Sequence, residues 1–428
     1  MKRFLRALKS VLSTYLERLR LFSPNARLYL LTVLVTGIAM GVYRLLFNFY
    51  VLSLGDPFDE ALLGQLITTN QATALILALP MGYAVDRWGR KNALITRSVL
   101  LAVSVALVSL WPSIGIFYLA NILFGLMQSL AAVAMAPFLM ENSGEAERTY
   151  LFSFSSGLQM GSVFIGNWLG GYLPTWIGKL QLVEATSSAA YGSSLLSISL
   201  IAAIGFIPLI FIRPVGGVRE SRRRDFAPFQ YASKNPKLLT KLLLPSLIIS
   251  FGAGLFMPFM NVFYRVVHHQ SDQMIGTLFA WGSLAMGIGL IIAPPIADRL
   301  GKIQFVVLTQ GLSIPFMILL GFAPFGASAL AYYVRMALMN MSNPIYQTFV
   351  MERVEMSARA TVASLVSMVW SFGRSFSPSI SGWLQVEYGF APVFGGAILL
   401  YAIAIPLYWV FFLRKKKADP LPVPAPSG

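Results

Sequence analysis

Gly82-Tyr83-Ala84-Val85-Asp86-Arg87-Trp88-Gly89-Arg90-Lys91 lies between two long apolar runs, near 61–85 and 93–111, and its reading decides the fold. Two hydrophobic segments joined by so short and charged a link must turn sharply. Glycine supplies the positive φ, or the close backbone approach, that such a turn demands. An Asp at the end of one helix can pair with arginine or face the N-terminal end of another helix. A weaker copy, Asp298-Arg299-Leu300-Gly301-Lys302, joins the runs near 273–297 and 303–322.

The two copies belong to a longer repeat. Asp86 and Asp298 are 212 residues apart, and at that offset Gly82, Arg87 and Gly89 fall on Pro294, Arg299 and Gly301, and Gly64 on Gly276. Met140-Glu141, Arg148 and Gly171 fall on Met351-Glu352, Arg359 and Gly382, one residue closer. Asn48 falls on Asn261, one residue farther. Register held this closely over so long a stretch marks an internal duplication.

Working outward, apolar runs recur near 28–52, 61–85, 93–111, 115–140, 150–173, 190–212, 238–267, 273–297, 303–322, 326–350, 360–384 and 391–413. About 20 apolar residues in a helix cross about 30 Å of hydrocarbon. The chain has 428 residues, 56% of them hydrophobic and 12% charged, where soluble proteins carry about 25% charged residues. The expected fold is therefore an all-α membrane protein, with twelve transmembrane helices in two pseudo-symmetric six-helix bundles. The expected organisation is a basic amphipathic segment at 1–24, bundles at 25–212 and 238–413, a cytoplasmic linker at 213–237, and a basic then Pro-rich tail at 414–428. Phe4, Leu8, Val11, Tyr15 and Leu19 repeat at helical spacing among basic residues, as in a helix lying on an anionic leaflet.

The net charge of +16 invites a nucleic-acid partner, but its placement argues for orientation instead. With a cytoplasmic N-terminus, Lys179 and Arg265 lie outside, Arg44, Arg335 and Arg374 fall within spans, and the remaining basic residues line the cytoplasmic side. That is the positive-inside bias, and it sets both termini in the cytoplasm of a cell (inner) membrane. Cysteine is absent, which excludes a disulfide framework and Cys-based metal sites. No metal cluster, phosphate-cradling loop or nucleophile triad stands out, so neither an enzyme nor a cofactor is expected.

The decapeptide matches the G-x-x-x-D-R-x-G-R-K signature of the major facilitator superfamily, and the chain resembles that family over about residues 25–413. The resemblance implies a monomeric secondary transporter of a small organic solute working by alternating access. It also implies that Gly82, Asp86, Arg87, Gly89, Arg90, Lys91, Asp298, Arg299 and Gly301 form a conformational latch. On the fifth span Gly166-Asn167-Trp168-Leu169-Gly170-Gly171 partly matches the glycine-rich motif of drug exporters, with Asn where those have Pro. Gly157 and Gly161 precede it, and Pro378 and Gly382 echo it in the second half, as expected of close helix packing. Where many exporters carry a coupling arginine on the fourth span, this chain has Asn121, followed by Gly125 and Gln128.

Ionisable groups inside a membrane are costly and mark function. Arg44, Arg335 and Arg374 are the interior charges, and no predicted span holds an Asp or Glu deep within it. Arg44 shares a helical face with Gly37, Gly41 and Asn48; Arg335 shares one with Tyr332, Met339, Ser342 and Tyr346. The candidate cavity residues are thus Arg44, Asn48, Asn121, Gln128, Asn261, Arg335, Ser342, Tyr346 and Arg374. The first expectation is an efflux permease, with a proton as candidate coupling ion. The alternative is an organic-anion exchanger or uniporter clamping its solute with Arg44 and Arg335. A non-transporting sensor or lipid-handling protein is the alternative of another class.

Overall fold

The computed structural model describes residues 20–213, 235–355 and 359–414. The expected surface helix from Phe4 to Leu19, nearly all of the 213–237 linker and the tail beyond Arg414 lie outside the described residues. The rest is helical: α1 (Pro24–Ser53), α2 (Glu60–Trp88), α3 (Arg90–Leu110), α4 (Ile114–Glu141), α5 (Glu145–Gln181) and α6 (Ser188–Ile204) precede the linker. After it come α7 (Pro236–Phe256, resuming at Met260–Val266), α8 (Asp272–Leu300), α9 (Lys302–Phe322), α10 (Phe325–Glu352), α11 (Arg359–Tyr388) and α12 (Phe390–Tyr408). Only helices and closed barrels satisfy every backbone group in lipid, so long apolar runs fold this way.

By length and composition nine of the described helices are apolar enough to cross a membrane. The other three long ones, α5, α10 and α11, are more polar, and two of them carry the interior arginines Arg335 and Arg374. Several helices outrun the expected spans. α5 has 37 residues, about 55 Å of rise, so its ends project beyond the hydrocarbon. The first N–H groups of a helix lack intrahelical acceptors. Ser23, Asp59, Ser187 and Ser271 supply them, accepting from the amides of Ala26, Leu62, Ala190 and Met274.

The duplication is visible in three dimensions. Gly89 alone separates α2 from α3, with φ +87°, and Gly301 alone separates α8 from α9, with φ +91°. An L side chain is strained at such angles. Arg90 pairs with Glu141 at 3.1 Å, and its counterpart Lys302 pairs with Glu352. Within the halves α1 packs on α5 as α7 packs on α11, and α2 on α4 as α8 on α10. Between the halves α2 packs on α11 and α5 on α8, a pair of contacts that the same symmetry interchanges.

Candidate solute site between the two halves

The end of the bundle bearing the Gly89 and Gly301 turns is called here the basic end. At the opposite end the halves are locked together. Asn48 donates to Asn261 Oδ1 at 2.8 Å and to the Pro258 carbonyl at 2.7 Å, and Asn261 donates back to the Leu45 carbonyl at 2.8 Å. Pro258 breaks α7 into a 3₁₀ turn, Met257–Phe259, because proline has no N–H to continue the helix. The two repeat-related asparagines thus hold each other and the opposing backbones across the bundle. Both belong to the seal rather than to an open cavity wall, a correction to the expected cavity set.

The seal also contains charge. Asp272, 7% exposed, receives the guanidinium of Arg265 and the hydroxyl of Tyr191, the latter at 2.6 Å. Tyr191 belongs to the first half and Asp272 to the second, while Arg265 lies 3.4 Å over the Phe49 ring of α1. Nearby, Ser379 of α11 donates to Thr68 of α2 at 2.8 Å.

Glycines let the backbones meet here. A Cβ at Gly276 would stand 2.6 Å from the Asn167 carbonyl oxygen, one at Gly171 2.7 Å from that of Asp272, and one at Gly64 2.4 Å from that of Pro378. Gly382 similarly abuts Glu60, and Gly166 and Gly170 pack on α1. Toward the basic end the α5–α8 pair passes through an edge-to-face contact of Phe164 with Trp281 and then separates. Gly157, Gly161 and Gly287, which closer approach would have covered, border open space. The expected packing role therefore falls on Gly166, Gly170 and Gly171 and not on Gly157 or Gly161. The halves form a V, closed at the far end and diverging toward the basic end.

The interior arginines sit at the apex of that V. Arg44 is one turn below Asn48 on α1, and Arg374 is just over one turn below Ser379 on α11. Both are exposed, and they stand close enough for their like charges to repel. Neither makes a hydrogen bond or ion pair among the described residues. Arg335 is 3% exposed, with its guanidinium 4.6 Å from the Phe256 ring and 5.1 Å from the Tyr401 ring. Its Nη1 approaches the Met257 sulfur at 3.9 Å, while Nε and Nη2 have no partner among the described residues. Tyr401, also within electrostatic range of Arg374, joins the two sites.

The other candidates are more fully engaged. Asn121 donates to the Phe117 carbonyl of its own helix, and Gln128 to Asn70 Oδ1. Ser342 bonds the Met339 carbonyl and accepts from Gln310, and Tyr346 donates to the Leu242 carbonyl. Tyr346 nevertheless contributes its ring, with Trp370 and Gln347, to a cavity of about 330 Å³ in the second half. At the basic end Arg90 reaches Glu141 and Lys91 reaches the Ile210 carbonyl, both within the first half, while Arg87, Asp298 and Arg299 are exposed. Asp86 stands on the last turn of α2, beside Arg87, whose guanidinium lies 5.7 Å from the Tyr83 ring, and Gly82 borders open space.

Three side chains of these regions escape the sequence. Asp272 lies one residue before the expected span and so reads as a loop acid. Tyr401 carries no sequence signal. Arg97, seven residues into α3, reads as a basic-end anchor, yet its side chain enters a cavity in the first half.

The geometry agrees with what comparison with known proteins finds. The Major Facilitator Superfamily profile matches residues 29–378. Multidrug resistance protein MdtG of Dickeya zeae (strain Ech586) is 22% identical over 396 residues, 90% of this chain and 93% of the relative. MdtG of Klebsiella pneumoniae (strain 342) is 24% identical over 399 residues, 90% and 92% of the two chains. Among solved structures, the D323A mutant of nucleoside transporter NupG superposes with a TM-score of 0.74 at 14% identity, covering 92% of this chain and all of that one. A D-xylose–proton symporter gives 0.68 at 16% identity, with 91% and 97% covered. At such identities the structures attest to the fold alone. The profile covers most of the chain, and the chain belongs to the major facilitator superfamily: it is a membrane transporter of small solutes working by alternating access, and not an enzyme.

Proposed function

We propose that this transporter exports an amphipathic organic anion across the cell inner membrane, and that the V between its halves is the inward-facing vestibule. The observation that carries the reading is the pair Arg44 and Arg374, contributed by opposite halves and without a carboxylate partner among the described residues. Two guanidinium groups held together at membrane depth repel each other and are costly when uncompensated. An anionic solute entering the apex would relieve that repulsion and accept charge-assisted hydrogen bonds from both halves. Arg335, reached through Tyr401, adds to the positive potential there. Tyr346, Trp370 and neighbouring apolar side chains offer walls for the apolar body of the solute.

The positive-inside bias supports placing the basic end, and with it both termini, in the cytoplasm. Outward transport is supported by the multidrug resistance named in the MdtG relatives and by the glycine-rich run on α5. Both walls of the vestibule come from one chain, so a monomer suffices.

Transport in proteoliposomes tests the proposal. Lipophilic cations, neutral amphiphiles and organic anions are screened with and without a pH gradient. The comparison is wild type against Arg44→Gln and Arg335→Gln. Anion movement that falls at least tenfold in Arg44→Gln is the expected result. A rate that responds to the pH gradient would add a proton as the coupling ion. Movement of cations or neutral amphiphiles, unchanged in both variants, would sink the anion reading and leave the arginines structural.

A further inference from the structure

A further cation without a partner among the described residues lies in the first half. Arg97 leaves α3 between its neighbours and enters a cavity of about 210 Å³ lined by residues of α1, α4 and α5. Tyr29, Val33 and Leu94 form its buried floor, while Ala132, Met135 and Gln159 are exposed at its mouth. Arg97 makes no hydrogen bond or ion pair among the described residues, and its Nε is buried without a partner. The lining contains no carboxylate. The Tyr29 hydroxyl lies within electrostatic range of the guanidinium but carries no charge to answer it. A guanidinium about 10 Å along α3 from the basic end of that helix is an expensive group to leave without an anion.

Its placement links it to the apex. Gly37 and Met40 border the Arg97 cavity, and Gly37 lies on the same α1 stripe as Arg44. The seven residues from Gly37 to Arg44 span about 10 Å of helix. The cavity therefore opens on the vestibule wall about two turns nearer the basic end than the apex pair. Its polar side chains are few: the Arg97 fork, the Gln159 amide and the hydroxyls of Tyr29 and Thr36. Val33, Met40, Met135 and Val163 supply an apolar surround. A few polar groups in an apolar surround are the makeup of a small-molecule site.

We propose that this cavity is a second anion subsite, in which Arg97 holds a carboxylate or a similar monoanionic group carried on an apolar body. The solute rests there on its way from the basic end to Arg44 and Arg374. The inference builds on the anion reading above and extends it to a station that the apex alone does not require. The Arg97 fork binds the anionic group bidentately, with Gln159 as a further donor at the mouth.

The test uses 4-benzoylbenzoate, a photoreactive aromatic carboxylate, on the full-length chain in lipid nanodiscs, with cross-linked residues mapped by mass spectrometry. Uncharged benzophenone is the control. Two labelled clusters are expected, one at Met40, Met135 or Val163 and one at the apex. Arg97→Gln should lose the first by about tenfold and keep the second, and Arg44→Gln should do the reverse. Arg97→Lys, which keeps the charge, should retain most of the first cluster, and unchanged apex labelling certifies that the variants are folded. Labelling at the cavity that is equal in Arg97→Gln and wild type, or equal with benzophenone, overturns the subsite. Apex labelling without cavity labelling overturns the subsite but not the anion reading, whereas no carboxylate-dependent labelling at either place overturns both.

Discussion

The sealed end and the apex of the vestibule are one helical turn apart and treat charge in opposite ways. At the seal Arg265 is met by Asp272 and Tyr191 and stacked on Phe49, and each asparagine of the Asn48–Asn261 pair binds the other. At the apex Arg44 and Arg374 lie within electrostatic range of each other, and among the described residues neither has a hydrogen-bond or ion-pair partner and Arg335 has two nitrogens without one. Both regions draw on α1 and on helices of the second half, so topology alone does not explain the contrast. A satisfied cation lowers the energy of one conformation and acts as a clasp. A cation without a partner at membrane depth is the half of an interaction that a solute completes. On the function proposed above, the difference separates residues that set the conformational equilibrium from residues that choose the cargo.

The largest effect should come from making the apex resemble the seal. Arg374→Glu would give Arg44 an internal partner and remove the demand for an external anion. Anion transport in proteoliposomes should fall about a thousandfold, from two lost charge-assisted contacts of about 2 kcal/mol each, while thermal stability is kept or raised. A variant that transports as well as wild type would show that the apex charges are incidental.

The converse experiment makes the seal resemble the apex. Asp272→Asn leaves Arg265 without its counter-charge, and removing one partner of a buried pair costs about 3 kcal/mol. The closed far end should lose population by about a hundredfold relative to the open one. The chain contains no cysteine, so Glu184→Cys and Val267→Cys can carry spin labels across that end without background. The pulsed-resonance distance distribution should shift to longer separations in the Asp272→Asn background, and an unshifted distribution would remove Asp272 from the gate. Asn48→Ala should act in the same direction but more weakly, by about 1–2 kcal/mol for the lost hydrogen bonds. A double-mutant cycle with Asn261→Ala should show strong coupling, because each side chain serves the other.

The smallest effect concerns the loop beside the seal. Burial, with His269 adjacent, holds His268 below the usual histidine range, and its ring packs on Phe263, Tyr264 and Phe325. A histidine with a lowered folded-state pKa contributes its full stability above its unfolded value of about 6.5 and loses it as pH falls toward the folded value. Thermal unfolding in detergent should therefore show a decline below about pH 6.5 that His268→Phe removes. An identical pH profile in the variant would locate the decline elsewhere.

Much of this was legible in the sequence, for definite reasons. The Gly82–Lys91 turn and its copy at Asp298–Lys302 need glycine at Gly89 and Gly301, and both positions have positive φ. Arg44, Arg335 and Arg374 stand out because charge is rare in apolar runs. What the sequence leaves open depends on packing across more than two hundred residues. Nothing local says that Asn48 and Asn261 meet each other rather than a solute. Whether Gly157 and Gly161 are covered depends on how far α5 and α8 diverge, a property of the conformational state rather than of either helix. Arg97 and Asp272 were hidden by boundaries: each lies within a few residues of the edge of an apolar run, where a charge ordinarily meets water.

The central claim is that the apex arginines bind an anion, and binding measured apart from coupling tests it most directly. Saturation-transfer NMR on the full-length protein in nanodiscs, with benzoate and benzylamine as matched probes, compares wild type with the Arg44→Gln, Arg374→Gln double variant. The account predicts transfer to benzoate in wild type, its loss in the double variant, and little transfer to benzylamine in either. Benzylamine binding as well as benzoate, or benzoate signal unchanged by the double substitution, would contradict it.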